Sequence, residues 1–254
     1  MRYARRARAL AVGLGLGALL GTSGSGGAQP LPAVVRRDVP CPGCVLRLPA
    51  GSPERPRPLV VALHGDRGTP AQLVELLQGE AERRGLAVLA LACPQKLGCD
   101  RQSFWQWGGA PSFIAAQVDA LLSAREPSGA PTWVLDRQRV YLLAWSGGAS
   151  YLTDVMAQLP GRFAAVALLG GGMPSRQAGS CARCPVPIYY VLGERNPLAA
   201  LARSARDALQ ACGHPLRFET LPRADHAGEW AALRHGKLGE VLAFFAEHTL
   251  RCGE

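Results

Sequence analysis

The sequence has no apolar run long enough to cross a membrane, and few of its residues are charged or aromatic. The apolar run near its start, residues 9–20, is 12 residues long, whereas a membrane-spanning helix needs about 20. Charged residues make up 19% of the 254 residues and aromatic residues 6%. The arginines are scattered and not clustered among aromatic residues, so nucleic-acid binding is not expected. With 48% apolar residues, the composition is that of a globular protein and not of a polytopic membrane, fibrous or disordered one.

Acidic residues are missing from the first 28 positions, which have the pattern of an export signal. Four arginines precede the apolar run, and small residues follow it, with Gly26 and Ala28 placed as a cleavage site. This pattern predicts a secretory signal peptide over residues 1–28; the alternative, a membrane anchor, is disfavoured by the short run. Without those four arginines, 24 basic residues stand against 19 acidic ones, a net charge of +5 instead of +9. We therefore expect a secreted or periplasmic protein without a stable membrane anchor.

Eight cysteines lie after the predicted leader, at positions 41, 44, 93, 99, 181, 184, 212 and 252. An even number in an exported protein favours disulfides. Short spacing suggests Cys41–Cys44, Cys93–Cys99 and Cys181–Cys184, which leaves Cys212–Cys252 to join two late helices. The alternatives are a four-cysteine zinc site built from CPGC and CARC, which are far apart for a compact zinc site, and a redox dithiol in CPGC, which does not open a helix. We expect no metal site.

Apolar runs of strand length alternate with segments of helical period along the rest of the chain. Two short extended stretches in residues 29–58 predict an N-terminal hairpin. The predicted strands cover residues 58–65, 86–93, 139–146, 163–172, 187–194 and 216–222. The predicted helices cover residues 70–84, 111–124, 147–160, 197–212 and 236–250. This alternation predicts an α/β fold, a mainly parallel sheet with helices on both faces, in one domain over residues 29–254.

The motif AWSGG places Ser146 between a buried strand and the start of a helix. It is a variant of G-x-S-x-G, in which a sharp strand–turn–helix exposes a nucleophilic serine. Residues two before and two after the serine must be small because strand and helix nearly touch there, and Ala144 and Gly148 are small. The alternative is a plain strand–helix turn with a capping serine.

A nucleophilic serine needs a base, and His226 lies just after the last predicted strand, where the order nucleophile, acid, histidine puts it. The alternative is a solvated loop histidine. His64, in LHG at the end of the first buried strand, is expected to shape a turn that carries oxyanion donors. Those donors would be the backbone N–H groups of Asp66 and Gly147.

The ordered motifs LHG, FIAAQVDALL, DRQRVYLLAWSGGASYLTDVMAQLPGRFAAVALLGGG, VLGERNP and DHAGEW resemble the α/β-hydrolase superfamily. Within it, the sequence is most similar to the secreted polyhydroxybutyrate depolymerase and feruloyl-esterase-like group, over about residues 58–250. The resemblance implies a serine esterase with Ser146 as nucleophile and His226 as base, and no cofactor. Ala144 stands where that group usually has glycine.

The acid of the triad is where the sequence departs from this pattern. In the family it lies three residues after the glycine that ends the strand, and here that residue is Asn196. An asparagine can orient an imidazole but cannot stabilise the imidazolium by charge. Glu194, two residues earlier, is the nearest carboxylate that could replace it, and another residue is a third possibility.

Four tryptophans are candidates for a substrate pocket: Trp105, Trp107, Trp145 and Trp230. They could wall a site for an aromatic or hydroxyacyl ester, or simply pack a long loop on the core. Two functions follow. One is a secreted carboxylic ester hydrolase acting on hydroxyalkanoate, feruloyl or related esters, small or polymeric. The other is a non-catalytic binding protein with a degraded triad, suggested by Asn196. The sequence leaves the oligomeric state open.

Overall fold

The computed structural model describes residues 32–51, 55–94, 99, 105, 112–159, 161–176 and 181–252. The predicted signal peptide and Trp107 lie outside these residues. Within them, no helix is both long enough and apolar enough to span a membrane.

The predicted strands and the N-terminal hairpin join in one eight-stranded sheet. The strands are β1 (Val34–Arg37), β2 (Val45–Leu48), β3 (Arg57–Leu63), β4 (Ala87–Leu91), β5 (Leu135–Trp145), β6 (Ala165–Leu169), β7 (Ile188–Gly193) and β8 (Leu216–Leu221). Their spatial order is β1-β2-β4-β3-β5-β6-β7-β8. The pairs from β4 through β8 are parallel, whereas β2 is antiparallel to both of its neighbours. The prediction of a mainly parallel sheet is confirmed.

Helices cover both faces of the sheet. They are α1 (Pro70–Arg84), α2 (Ser112–Ser123), α3 (Gly147–Val155), α4 (Ala199–Ala211), α5 (His226–Ala232) and α6 (Leu238–Ala246). Alternate residues of β3 face opposite ways: Leu59, Val61 and Leu63 pack with α2, α3 and α4, and Val60 and Ala62 pack with α1 and α6. Burial on both sides explains why the central strands are continuous apolar runs.

Helix α5 was not foreseen in the sequence. It has only seven residues, too few for an apolar period to be read from the pattern. Its start is nevertheless marked by a cap, since the side chain of Asp225 accepts a hydrogen bond from the N–H of Gly228 at 2.8 Å. The chain then kinks through a wide turn over Leu233–Lys237, where Gly236 has φ 111°, before α6. The segment that contains His226 is therefore a short helix, which follows a turn at residues 222–225.

Two of the four predicted disulfides are confirmed and two are wrong. Cys41–Cys44 and Cys93–Cys99 form as expected. The other four cysteines form Cys181–Cys212 and Cys184–Cys252 in place of the two predicted pairs. Their Cα–Cα distances are 5.2 and 6.3 Å. The fold brings the CARC segment against the end of α4 and the C-terminal residues, a proximity that spacing along the chain does not show. Because all eight cysteines are paired, the zinc alternative has no thiolates.

Candidate active site

Ser146 sits on a sharp turn between β5 and α3. Its backbone has φ 52° and ψ −116°, an unfavourable region for a non-glycine residue that recurs at functional sites. Its N–H donates to the carbonyl of Leu169 in β6 at 2.8 Å, which holds the turn. A Cβ at Gly148 would lie 2.6 Å from the carbonyl oxygen of His64. The close approach of strand and helix predicted from AWSGG is therefore present.

The structure brings Ser146 and His226 together, although 80 residues separate them. The serine Oγ lies 2.9 Å from Nε2 of His226. His226 is the first residue of α5, and the imidazole is partly exposed. The distance is within the range that proton transfer between a nucleophile and its base requires.

The carboxylate on the other side of the imidazole belongs to Glu229. Its Oε2 lies 2.7 Å from Nδ1 of His226, and the residue is only 2% exposed. Because residues three apart share one face of a helix, α5 supplies both the imidazole and its carboxylate. Glu229 is not among the residues predicted from the sequence, because no helix is predicted between residues 222 and 236. The Asp225 cap three residues upstream of Gly228 was the signal that could have placed it.

Asn196 contacts this carboxylate and does not replace it. Its Nδ2 lies 2.9 Å from Oε1 and 2.8 Å from Oε2 of Glu229. Its Oδ1 accepts the N–H of Leu198 at 2.8 Å, which fixes the orientation of the amide. The N–H of Gly193 donates to Oε1 of Glu229 as well. Asn196 and Glu229 are both buried. Asn196 and the N–H of Gly193 supply the hydrogen-bond donors that the charge of a buried carboxylate needs.

The structure places Glu194 away from the imidazole. It follows the last residue of β7, its side chain is exposed, and Oε2 accepts the N–H of Arg223 at 2.7 Å. Of the two candidates named from the sequence, only Asn196 faces His226, with Nδ2 3.3 Å from Nδ1. When Nδ1 of His226 is protonated, it donates to Glu229. Nδ2 of Asn196 donates to the same carboxylate.

Trp145 lies flat against the imidazole. The two rings are stacked, with centroids 4.7 Å apart and planes 6° apart. Trp230, one turn along α5, contacts Trp145 with centroids 5.0 Å apart. Trp145 therefore fixes the plane of His226 and presents its negative face to a charged imidazolium.

His64 is buried at the end of β3 and holds the neighbouring loop. Its Nδ1 lies 2.8 Å from the carbonyl oxygen of Gly65, and its Nε2 accepts the N–H of Cys93 at 3.3 Å. Burial lowers the pKa of the imidazole, which keeps it neutral and able to accept. The position matches the structural role expected from LHG.

Gly147 and Asp66 meet beside the serine. The N–H of Gly147 lies in the first turn of α3, where backbone N–H groups have no partner within the helix. The exposed side chain of Asp66 lies so close that a Cβ at position 147 would overlap its carboxylate. The two predicted oxyanion donors thus belong to adjoining segments, and a carboxylate stands next to them.

Two grooves meet at Ser146 and His226. The histidine-side groove is lined by His226, Trp145, Trp230, Leu73 and residues 64–69. The serine-side groove, of about 390 Å³, is lined by Ser146, Trp105, Tyr151, Met173, Leu198 and Leu201, among others. Asp66 lines both. The three described tryptophans named from the sequence therefore border the site, Trp105 on one side and Trp145 and Trp230 on the other.

Comparison with solved structures relates this architecture to known hydrolases. A provisionally named dienelactone hydrolase from Klebsiella pneumoniae subsp. pneumoniae MGH 78578 superposes with a TM-score of 0.60 at 15% identity, over 84% of this chain and 98% of its own. The chain has the α/β-hydrolase fold. The poly(3-hydroxybutyrate) depolymerase LpqC from Bordetella parapertussis shares it, with a TM-score of 0.56 at 18% identity over 87% and 94% of the two chains. A thermostable esterase shares it too, with a TM-score of 0.60 at 22% identity over 85% of this chain and 62% of its own.

Sequence comparison adds one relative. The chain is 30% identical over 155 residues to a protein of Nocardia uniformis subsp. tsuyamanensis provisionally named esterase NocK. The matched segment is 58% of this chain and 43% of that protein, so the chain spans less than half of its length. No protein-family model matches the chain. In this α/β-hydrolase fold, Ser146 occupies the strand–turn–helix position where such folds expose a nucleophile.

Proposed function

We propose that the protein is a serine hydrolase of carboxylic esters with Ser146 as nucleophile, His226 as base and Glu229 as acid. The observation that carries the proposal is the continuous chain of contacts Ser146 Oγ, His226 Nε2, His226 Nδ1 and Glu229 Oε2, at 2.9 and 2.7 Å. A serine on a strained turn, a base within hydrogen-bond distance and a third group that orients the base form the arrangement that nucleophilic catalysis requires.

The reaction proceeds through an acyl-enzyme. The Oγ of Ser146 forms a bond to the ester carbonyl carbon while its proton passes to Nε2 of His226. The bond from that carbon to the alcohol oxygen then breaks, and His226 returns the proton to this oxygen. Water repeats the sequence: His226 takes one proton, the oxygen attacks the acyl carbon, and the acid leaves as Ser146 recovers its proton.

Glu229 would hold Nδ1 protonated, which leaves Nε2 free to accept from the serine, and would stabilise the imidazolium by charge. A neutral amide in that place supports the wrong tautomer and costs about 10⁴ in rate in serine proteases. The interpretation of a non-catalytic protein rested on Asn196 in the place of the acid. Glu229, on α5, places a carboxylate next to the imidazole, so the asparagine is no longer a reason to expect an inactive protein. Asn196 instead positions Glu229.

The oxyanion of the tetrahedral intermediate would be held by the N–H groups of Gly147 and Asp66. The N-terminal end of α3 adds a favourable field for developing negative charge. Removal of one such donor typically costs about 10²–10³ in kcat.

Export and the ester class are the finer parts of the proposal. Four disulfides support a secreted or periplasmic protein, since such bonds persist in oxidising compartments. The fold neighbours include a poly(3-hydroxybutyrate) depolymerase and a ferulic acid esterase, which supports hydroxyalkanoate or feruloyl esters as substrates to test first.

The test is covalent labelling with a fluorophosphonate, together with hydrolysis of p-nitrophenyl, feruloyl and 3-hydroxybutyrate esters. We expect the purified protein to be labelled and to hydrolyse at least one ester, and Ser146→Ala to lose both properties. Ser123→Ala is the matched control, because Ser123 is exposed on α2 and donates only to helix carbonyl groups. Labelling that persists in Ser146→Ala, or a folded protein with neither property, would overturn the proposal.

A further inference from the structure

We infer that the two grooves divide the substrate: the serine-side groove takes an uncharged aliphatic acyl chain, and the histidine-side groove takes the alcohol. The inference rests on the proposed function and adds a substrate class and a direction to it. It names Met173, Leu198 and Leu201 as the residues that set the preferred acyl chain.

The direction follows from the return of the proton. When the tetrahedral intermediate breaks down, the alcohol oxygen leaves the carbonyl carbon and takes its proton from Nε2 of His226. That oxygen must therefore lie on the side of His226, and the rest of the alcohol lies in the groove that His226 lines. The acyl carbon stays bonded to Oγ of Ser146, so its chain extends into the groove that Ser146 lines.

The serine-side groove has an apolar rim. Met173 is 42% exposed, Leu198 is 44% exposed and Leu201 is 42% exposed. Among the described residues, large hydrophobic side chains this exposed number four, and these three all border this groove. Exposed apolar side chains that cluster at one place mark a binding surface. Below the rim, Trp105 and Tyr151 are stacked with ring centroids 5.6 Å apart, which gives the groove an aromatic floor.

The charges around this groove favour an uncharged chain. Arg176 donates from Nε and Nη2 to Oδ2 of Asp154 at 2.9 and 2.6 Å, so its charge is already matched. The cation of this groove is therefore already paired, and the apolar rim favours an apolar acyl chain.

Hydrogen bonds hold the two rim segments of the groove in place. The N–H of Met173 donates to Oγ1 of Thr153 at 2.9 Å, and the N–H of Leu198 donates to the amide oxygen of Asn196 at 2.8 Å. Both rim segments are thus tied to α3 or to the residue that holds Glu229. A groove held in this way selects a chain without first having to be ordered.

The test varies one half of the ester at a time. The acyl series is p-nitrophenyl acetate, butyrate and octanoate, and the alcohol series is methyl, phenyl and naphthyl butyrate. The variant Leu201→Asp places a charge on the rim. The matched control is Val35→Asp, the same kind of change at the fourth exposed hydrophobic residue, which is 52% exposed on β1 and lies outside both grooves.

We expect Leu201→Asp to lower the ratio of kcat/KM for octanoate to that for acetate by about tenfold, because several methylene groups lose apolar contact. The ratio of naphthyl to methyl butyrate should stay within about twofold of the unmodified protein, and Val35→Asp should change neither ratio. Leu201→Trp is a second variant, which adds bulk without adding charge. Its larger side chain should shift the preference for acyl chains towards acetate.

Equal losses across the acyl series, or a change confined to the alcohol series, would overturn the division of the grooves while leaving ester hydrolysis intact. A protein that hydrolyses none of these esters and takes no fluorophosphonate label would instead overturn the proposed function. A fourth acyl ester, mono-p-nitrophenyl glutarate, ends in a carboxylate. A preference for this ester over the butyrate would contradict the uncharged class.

Discussion

Replacing Asn196 by aspartate supplies the acid that the resemblance leads one to expect after the strand, and here we expect it to damage the site. In the structure, Nδ2 of Asn196 lies 2.9 and 2.8 Å from the two carboxylate oxygens of Glu229. Asn196→Asp would remove that donor and bring a second carboxylate to the same place.

The magnitude follows from these distances. A hydrogen bond to a charged group contributes about 1.5–3 kcal/mol. Two full charges about 3 Å apart repel by about 6 kcal/mol at an effective dielectric constant of about 20, which is enough for the pair to retain a proton. We therefore expect a loss of about 3 kcal/mol in transition-state stabilisation, or about a hundredfold in kcat/KM.

The retained proton gives the variant a signature in its stability. The folded variant binds a proton that the unfolded chain, with an ordinary Asp pKa of about 3.9, has released. Its free energy of unfolding should therefore fall, relative to the unmodified protein, as the pH rises above about 4. Ester hydrolysis and urea unfolding between about pH 5 and pH 8 measure both effects. Asn196→Ala, which removes the donor without adding charge, should lose less activity and lack this pH dependence.

A large gain of esterase activity in Asn196→Asp would refute the reasoning. That result would mean that position 196 is the place of a missing acid and that Glu229 does not serve the imidazole.

Two further predictions concern Trp145 and His214. Trp145→Leu removes the aromatic face from the His226 imidazolium, worth about 1–2 kcal/mol, and should lower kcat about tenfold while Trp145→Phe retains most of it. Burial lowers the pKa of His214. As the pH falls below about 6.5, the unfolded chain therefore takes up a proton before the folded protein does. The free energy of unfolding then falls by up to about 1.4 kcal/mol per pH unit. His214→Gln should reduce this acid sensitivity in urea unfolding, and the same change at the exposed His235 should not; equal slopes in both variants would contradict the assignment.

The strands and the sharp turn at Ser146 could be predicted because their signals are local. A strand buried on both faces must be a continuous apolar run, and the buried parts of β3 through β7, such as residues 140–144 of β5, are such runs. The elbow imposes small residues at fixed offsets from Ser146, and chain order alone then singles out the segment of His226. These constraints act within a few residues, so the sequence displays them.

The carboxylate next to His226 and half of the disulfides could not be predicted because their partners are set by packing. The resemblance implies an acid at position 196, which is Asn196, whereas the carboxylate next to His226 belongs to Glu229. Its helix is too short to show a period, and only the Asp225 cap marked its start. Likewise, Cys181 and Cys184 are near each other in the chain, but the fold brings Cys212 to Cys181 and Cys252 to Cys184.

The most direct test of the account compares Glu229→Gln with Glu194→Gln in steady-state hydrolysis of one ester. Both changes replace a carboxylate by an amide of the same shape. We predict that Glu229→Gln lowers kcat by about 10³–10⁴, as expected when a triad loses its charged acid, and that Glu194→Gln stays within about twofold, since its side chain only accepts the N–H of Arg223. Circular dichroism verifies that both variants are folded. A Glu229→Gln protein with near-normal kcat, or a Glu194→Gln protein with the large loss, would contradict the account.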